Sequence, residues 1–157
     1  MMRILVNGIQ SGLRFSSAHV IPGHESCGYI HGHSYFVDVE IEGERAGDFE
    51  FVVDFKDVKG YTKAICDELD HRLLIPVYND LIEFKDFDKK TDSIFNLKKK
   101  HTVHFKIDGK GYALPGVDCV FLPLPTPLLR NCPSSLQRLW LKSCLKHMTI
   151  SNTFQFV

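Results

Sequence analysis

The chain has 157 residues, 44% of them hydrophobic, which suits a single domain able to bury its own apolar core. Nineteen Lys and Arg balance nineteen Asp and Glu, so there is no electrostatic footprint for nucleic acid or an anionic membrane, and neither is expected as a partner. Five cysteines, an odd number at no disulfide-like spacing, and a start (Met1-Met-Arg-Ile-Leu-Val) without an apolar run long enough for a signal peptide point to a reducing cytoplasm.

In chain order, Arg3 to Val6 and Leu13 to His19 read as one strand or two short ones. Ser34 to Glu42 alternates, with Tyr35, Val37, Val39 and Ile41 on one face and Asp38, Glu40 and Glu42 on the other, which predicts a strand wet on one side. Glu50 to Val53 reads as its return strand, joined through the polar turn Gly43 to Asp48. From Asp57, a candidate N-cap, Val58, Tyr61, Ile65 and Leu69 recur at helical spacing, and Gly60 weakens only the first turn. That helix delivers Asp70-His71 to its end. Residues 78–100, rich in Lys and Asp, read as an insertion or loop without chemistry, including Lys89-Lys90 and Lys98-Lys99-Lys100. His101 to Ile107 and Tyr112 to Leu114 form a hairpin about Asp108-Gly109-Lys110-Gly111, followed by an apolar strand from Val117 to Leu122. The order of elements predicts an α+β fold.

Chemistry concentrates near the N-terminus. Phe15-Ser-Ser-Ala-His19 and Cys27-Gly-Tyr-Ile-His31-Gly-His33 gather three imidazoles and a thiol. Residues two apart on a strand share a face, so His31 and His33 can point at one ion, and Gly32 is expected to leave room for it. His19 supplies a third nitrogen from a neighbouring strand, and three protein ligands with one open position describe a catalytic zinc rather than a structural one. Taken singly, each residue has an ordinary explanation: His-x-His pairs are common, a lone Cys is usually a small buried residue, and Asp70-His71 fits a helix end whose His satisfies carbonyls. His101 and His104, three apart, fall on opposite strand faces and are not counted as ligands, and His24, in the Pro22-Gly-His-Glu25 loop near the site, is left without a role.

In combination, His19, the Cys27-x-x-x-His31-Gly-His33 run, Asp54-Phe55 and Leu69-Asp70-His71 resemble the 6-pyruvoyl-tetrahydropterin synthase family over residues 3 to about 126. The three-residue gap between Cys27 and His31 is similar to the 6-carboxy-tetrahydropterin synthase branch, which serves 7-deazaguanine (queuosine and archaeosine) synthesis. The resemblance implies a tunnelling fold, an antiparallel β-sheet with two helices on one face. Its subunits join sheet edges into a homo-oligomeric ring, a hexamer, with sites between subunits. It implies zinc held by His19, His31 and His33, with Cys27 abstracting a proton and Asp70 and His71 completing the relay. The implied substrate is 7,8-dihydroneopterin triphosphate, converted to 6-carboxy-5,6,7,8-tetrahydropterin with loss of triphosphate and acetaldehyde; 6-pyruvoyl or 6-hydroxymethyl products are the alternatives. Zinc on neutral imidazoles keeps its full charge and can acidify a coordinated hydroxyl, and a nearby positive charge favours the thiolate that takes a proton. An imidazole oriented by an adjacent carboxylate can relay protons near neutral pH.

Two rivals come from other classes. A cupin-like iron oxygenase also uses His-x-His but wants a carboxylate nearby, and Asp38 and Glu40 fall on the wet face. A non-catalytic zinc-binding remnant is the other.

The chain divides at about residue 126 into a pterin-synthase-like domain, 1–126, and an aberrant tail, 127–157. The family has there an acidic amphipathic helix and a last strand whose Glu anchors the pterin. This tail has no Asp or Glu from residue 119 onward, so no pterin-binding residue can be named. Joining the last base of each codon to the first two of the next, Asn131-Cys132 must encode Leu and Met148-Thr149 must encode Asp, while Leu129-Arg130-Asn131 can encode Glu-Glu. The shifted text resembles the missing helix and strand, so a one-base insertion or deletion is inferred near the codons for Pro125 to Leu129. Without those elements the chain leaves apolar area exposed at roughly 25 cal/mol per Å² of lost burial, and weak or absent turnover is expected. Resequencing the DNA across the codons for Leu122 to Cys132 should reveal a one-base change that restores an acidic helix and a strand carrying a Glu; an unaltered frame would make the tail genuine.

Overall fold

The computed structural model describes residues 2–125, so the tail and the helix and last strand expected to be disrupted in it lie outside the described residues. In chain order the elements are β1 (Met2–Val6), α1 (Gly8–Ser11), β2 (Arg14–His19), β3 (His31–Phe36), β4 (Val39–Gly43), α2 (Phe55–Leu69), β5 (Leu73–Pro76), β6 (Ile82–Phe84), α3 (Ile94–Lys98), β7 (Thr102–Ile107), β8 (Lys110–Pro115) and β9 (Cys119–Leu122). The α+β class stands. Two compact units divide the described residues, the first comprising 2–15 and 34–70, the second 16–33 and 71–125.

In the first unit, β1 pairs antiparallel with β4, placing Ile4 opposite Ile41 and Val6 opposite Val39. The two early strands are separate because α1 intervenes. Asn7 caps that turn by accepting the Gln10 N–H at 2.9 Å, and Gly12 closes it in the left-handed region at φ 68°. The same turn cuts the predicted strand Ser34 to Glu42 in two. The Val37 N–H donates to the Leu13 carbonyl at 2.9 Å and the Asp38 carboxylate accepts the Gly8 N–H at 2.6 Å, so neither residue is held in a ladder. The apolar face nevertheless survives the break: Val37, Val39 and Ile41 are all buried.

The predicted return strand Glu50 to Val53 is not formed. Glu50 lies at φ 51°, which interrupts an extended run, and the segment makes only an isolated bridge between Ala46 and Phe51. The partner of β4 is β1 instead. Helix α2 begins earlier than predicted, because Asp54 rather than Asp57 is its N-cap: extended at φ −79°, it accepts the Lys56 N–H at 2.7 Å. Asp57 falls in the first turn, where a negative charge complements the helix dipole. The buried stripe runs Val58, Thr62, Cys66, Leu69, while Tyr61 is exposed. Thr62 tolerates burial because its hydroxyl donates to the Val58 carbonyl at 2.8 Å.

A four-stranded sheet runs in the order β3-β2-β5-β9. Its β2–β5 and β5–β9 pairs are parallel, where an antiparallel sheet was expected. Helix α2 lies in the connection from β2 to β5, and every residue of β5 and β9 is buried, which suits the uninterrupted apolar text of parallel strands. The second unit also holds an antiparallel meander, β6-β7-β8. Its hairpin turns at Asp108-Gly109, with φ 49° and 77°, the paired positive values a two-residue type I′ turn demands, so the turn is shorter than the predicted four residues and β8 begins at Lys110. Residues 78–100 are no plain loop: they contain β6 and α3, and Ile82, Phe87 and Leu97 join the core with Ile75, Val103 and Phe121. The Lys89 and Lys100 ammonium groups bind the Asn79 and Asp86 carbonyls at 2.5 and 2.7 Å, which ties the polar residues to the backbone.

A Cβ on Gly8 would meet the Val37 backbone at 2.6 Å, whereas one on Gly60, inside α2, would meet nothing within 4 Å. Gly8→Ala should therefore destabilise the protein by about 2 kcal/mol, and Gly60→Ala should stabilise it by about 0.5–1 kcal/mol, read from urea unfolding midpoints.

Candidate metal centre and active site

Three strands' worth of backbone pairing set the site. His19 ends β2, where burial alternates through Phe15, Ser17 and His19; its register partner is Leu74 of β5. His31 and His33 share one face of β3, which is next to β2 in the sheet. One ring nitrogen from each of His19, His31 and His33 lies within 4.8 Å of the other two. His19 Nε2 and His31 Nε2 are 3.1 Å apart, and the rings meet edge-on or tilted at 4.6–5.0 Å between centroids, so nitrogens rather than ring faces converge. Two nitrogens on a tetrahedral zinc would stand about 3.3–3.4 Å apart, given Zn–N distances of ~2.0–2.1 Å. The donor set therefore fits a metal ion.

Burial grades across the cluster: His19 is 3% exposed, His31 half-buried and His33 exposed. His31 Nδ1 lies 2.8 Å from the Tyr29 carbonyl, which can only accept, so this nitrogen carries the hydrogen and Nε2 is left with the lone pair a metal needs. Burial, and then the charges of His31 and His33, push the His19 imidazole down to about 4, so it is neutral and ready to ligate at neutral pH. The sequence argument for Gly32 needs correction. By strand alternation a side chain there projects away from the face of His31 and His33, and its Cβ would make an ordinary 3.6 Å contact with the Ser17 carbonyl. Room for an ion is not what this glycine provides.

Cys27 carries a half-buried free thiol but is not among the converging ligand groups. Its loop is organised by His24, whose Nδ1 accepts the N–H groups of Ser26 and Cys27 at 3.2 and 3.0 Å. The Gly28 N–H returns to the His24 carbonyl at 2.8 Å, and the Ile21 N–H to the Cys27 carbonyl at 2.9 Å. His24 thus has a structural task that sequence reasoning missed; a side-chain acceptor two or three residues before the N–H groups it captures was the available signal. Asp70 is the C-cap of α2, its N–H donating to Cys66. His71 follows at φ 55°, a conformation uncommon for a non-glycine residue, and its N–H donates to the Ser16 carbonyl at 2.7 Å. Two residues further along β2, the Ala18 N–H donates to the Arg72 carbonyl at 3.0 Å, so residues 71–72 pair with this strand. Neither Asp70 nor His71 joins the three-imidazole cluster. Among the described residues that cluster consists of the three histidines alone.

An α+β chain that converges three imidazole nitrogens on one point has the construction of a metal-assisted enzyme. A family model described as 6-pyruvoyl tetrahydropterin synthase matches residues 9–117. A Methanocaldococcus jannaschii protein provisionally named 6-carboxy-5,6,7,8-tetrahydropterin synthase is 47% identical over 125 residues, covering 80% of this chain and 69% of that protein. A Haemophilus influenzae protein named 6-carboxy-5,6,7,8-tetrahydropterin synthase is 35% identical over 77 residues, 46% of this chain and 55% of its own length. The crystal structure of 6-pyruvoyl tetrahydropterin synthase from Plasmodium vivax superimposes with a TM-score of 0.67 at 22% identity, covering 91% of this chain and 79% of that one, a likeness of fold. The chain belongs to the 6-pyruvoyl tetrahydropterin synthase family, whose members are lyases acting on pterins. No helix among the described residues is long and apolar enough to cross a membrane.

The cysteines divide by environment. Burial pushes the thiols of Cys66 and Cys119 up to about 11. A raised thiol value means that folding favours the protonated form, so this contribution to stability is complete below about pH 9 and is lost as pH rises towards 11. Iodoacetamide at pH 8 should label Cys27 in the native protein at least about tenfold faster than Cys66 or Cys119, as read by peptide mass mapping, and denaturant should abolish the difference.

Proposed function

We propose that this chain converts 7,8-dihydroneopterin triphosphate to 6-carboxy-5,6,7,8-tetrahydropterin, releasing triphosphate and acetaldehyde, in the pathway to 7-deazaguanine nucleosides. The observation that carries this reading is the convergence of His19, His31 and His33 in a chain 47% identical to a protein of that name. Three imidazole nitrogens suit zinc, which these residues would hold and which would supply a Lewis acid for the side-chain oxygens of the substrate. Cys27, on a loop fixed by His24, takes the proton from the side-chain carbon. His71 moves protons to and from the reacting side chain, and Asp70 orients its ring and balances its charge. The unusual backbone of His71 fits a ring held for a task, since such conformations are retained where surrounding structure enforces them.

The working protein is a homo-oligomer, a hexamer, in a reducing cytoplasm; edges that are open among the described residues, such as those of the two-stranded β1–β4 sheet, suit pairing between copies. The text after residue 126 is out of frame, and the restored chain carries the pterin-anchoring Glu.

Chromatography of products after incubation with dihydroneopterin triphosphate tests the reading, using both the chain as written and the frame-restored chain. The restored chain should give the 6-carboxy product; a 6-pyruvoyl or 6-hydroxymethyl product would reassign the reaction, and no product from either chain would leave a zinc-binding remnant. Chelation should abolish turnover and zinc restore it. Cys27→Ala should lower kcat by about 10²–10⁴-fold while zinc content stays at the wild-type level.

A further inference from the structure

We propose that Lys110 is a positioning residue for the site, holding from the hairpin tip the loop that carries Cys27 and orients His31. Its ammonium donates to the Gly28 carbonyl at 3.2 Å and sits 4.1 Å from the centroid of the Tyr29 ring, over its face. These are the two residues between the thiol of Cys27 and Ile30, and they lie 82 and 81 positions away in the chain. The type I′ turn makes this reach possible, because it ends at Gly109 and starts β8 at Lys110 itself.

Tyr29 is 64% exposed, so core packing does not fix it. Its carbonyl faces His31 Nδ1 at 2.8 Å and so selects the nitrogen left to bind a metal. A peptide that orients a ligand must itself be held. Gly28 is tied through its N–H to the His24 carbonyl and through its own carbonyl to Lys110; the Tyr29 ring is tied by the same ammonium. His24 therefore braces the loop from within and Lys110 from outside it. The ammonium acts on the metal ligand only through Tyr29, which is why its effect should be graded rather than complete.

The proposal rests on the metal-site reading for its zinc arm, but its second arm does not. Lys110→Met should weaken zinc binding, measured by competition with a chromophoric chelator, by about three- to tenfold, the low end of the effect of losing a partner behind a ligand. Lys110→Arg, which can both donate and lie over the ring, should stay within about twofold of wild type. In metal-free protein, Lys110→Met should speed Cys27 alkylation by about threefold through more frequent loop opening, with the melting temperature unchanged. Tyr29→Ala, which leaves the bond to the Gly28 carbonyl, should change both readouts in the same direction by less, and the double variant should add little to Lys110→Met. Unchanged Cys27 alkylation in Lys110→Met, or an arginine variant as impaired as methionine, would overturn the proposal. A wild-type protein that binds no zinc would overturn the function proposed above, while the alkylation comparison would still decide the role of Lys110.

Discussion

Everything at the site depends on holding three imidazole nitrogens close together. Protonated rings at these separations would repel, and in a buried place they would lose their hydration as well. The structure meets the constraint by grading burial from His19 to His33 and by giving His31 a carbonyl that fixes which nitrogen carries hydrogen. The β2–β3 pairing brings the rings together, and parallel β5 holds β2 in place from its other side. A cluster so arranged could hold a cation where protons would otherwise sit.

The backbone hydrogen bonds explain how a short chain arranges this. Helix α2 runs from a carboxylate cap at Asp54 to an end where His71 donates to Ser16 in the strand that carries His19. The unusual φ of His71 is the conformation that makes the turn from helix to β5 so short. The glycines do comparable work. Gly8 lets α1 lie against the Val37 backbone, and Gly28, where a Cβ would collide with the His24 carbonyl, lets the Cys27 loop fold tightly on itself. Accessible and buried thiols are likewise separated by position rather than by type: Cys66 lies on the buried stripe of α2 and Cys119 in a fully buried strand, while Cys27 sits on a partly open loop.

Much of this was legible in the residues themselves. His31-Gly-His33, with period-two alternation, placed two ligands on one face, and the Asp108-Gly109 pair announced its hairpin, because both are governed by neighbours within a few positions. The helix was visible but its phase was not: Thr62 and Cys66, not Tyr61 and Ile65, make the buried face, since a hydroxyl can satisfy itself on the backbone and a thiol buries readily. Residues 78–100 looked like a loop because β6 is three residues long and its apolar side chains are scattered among Lys and Asp.

The sequence by itself determined the two histidines that share a face of β3, the helix ending at Asp70-His71, the hairpin and the α+β class, all consequences of short-range spacing and residue chemistry. Only the tertiary structure decided that Ser34 to Glu42 is two strands, that β1 rather than Glu50 to Val53 pairs with β4, that β2, β5 and β9 run parallel, and that His24 and Lys110 brace the Cys27 loop. Those outcomes turn on which backbone donors and acceptors meet across tens of residues, a competition among long-range partners that no local pattern encodes.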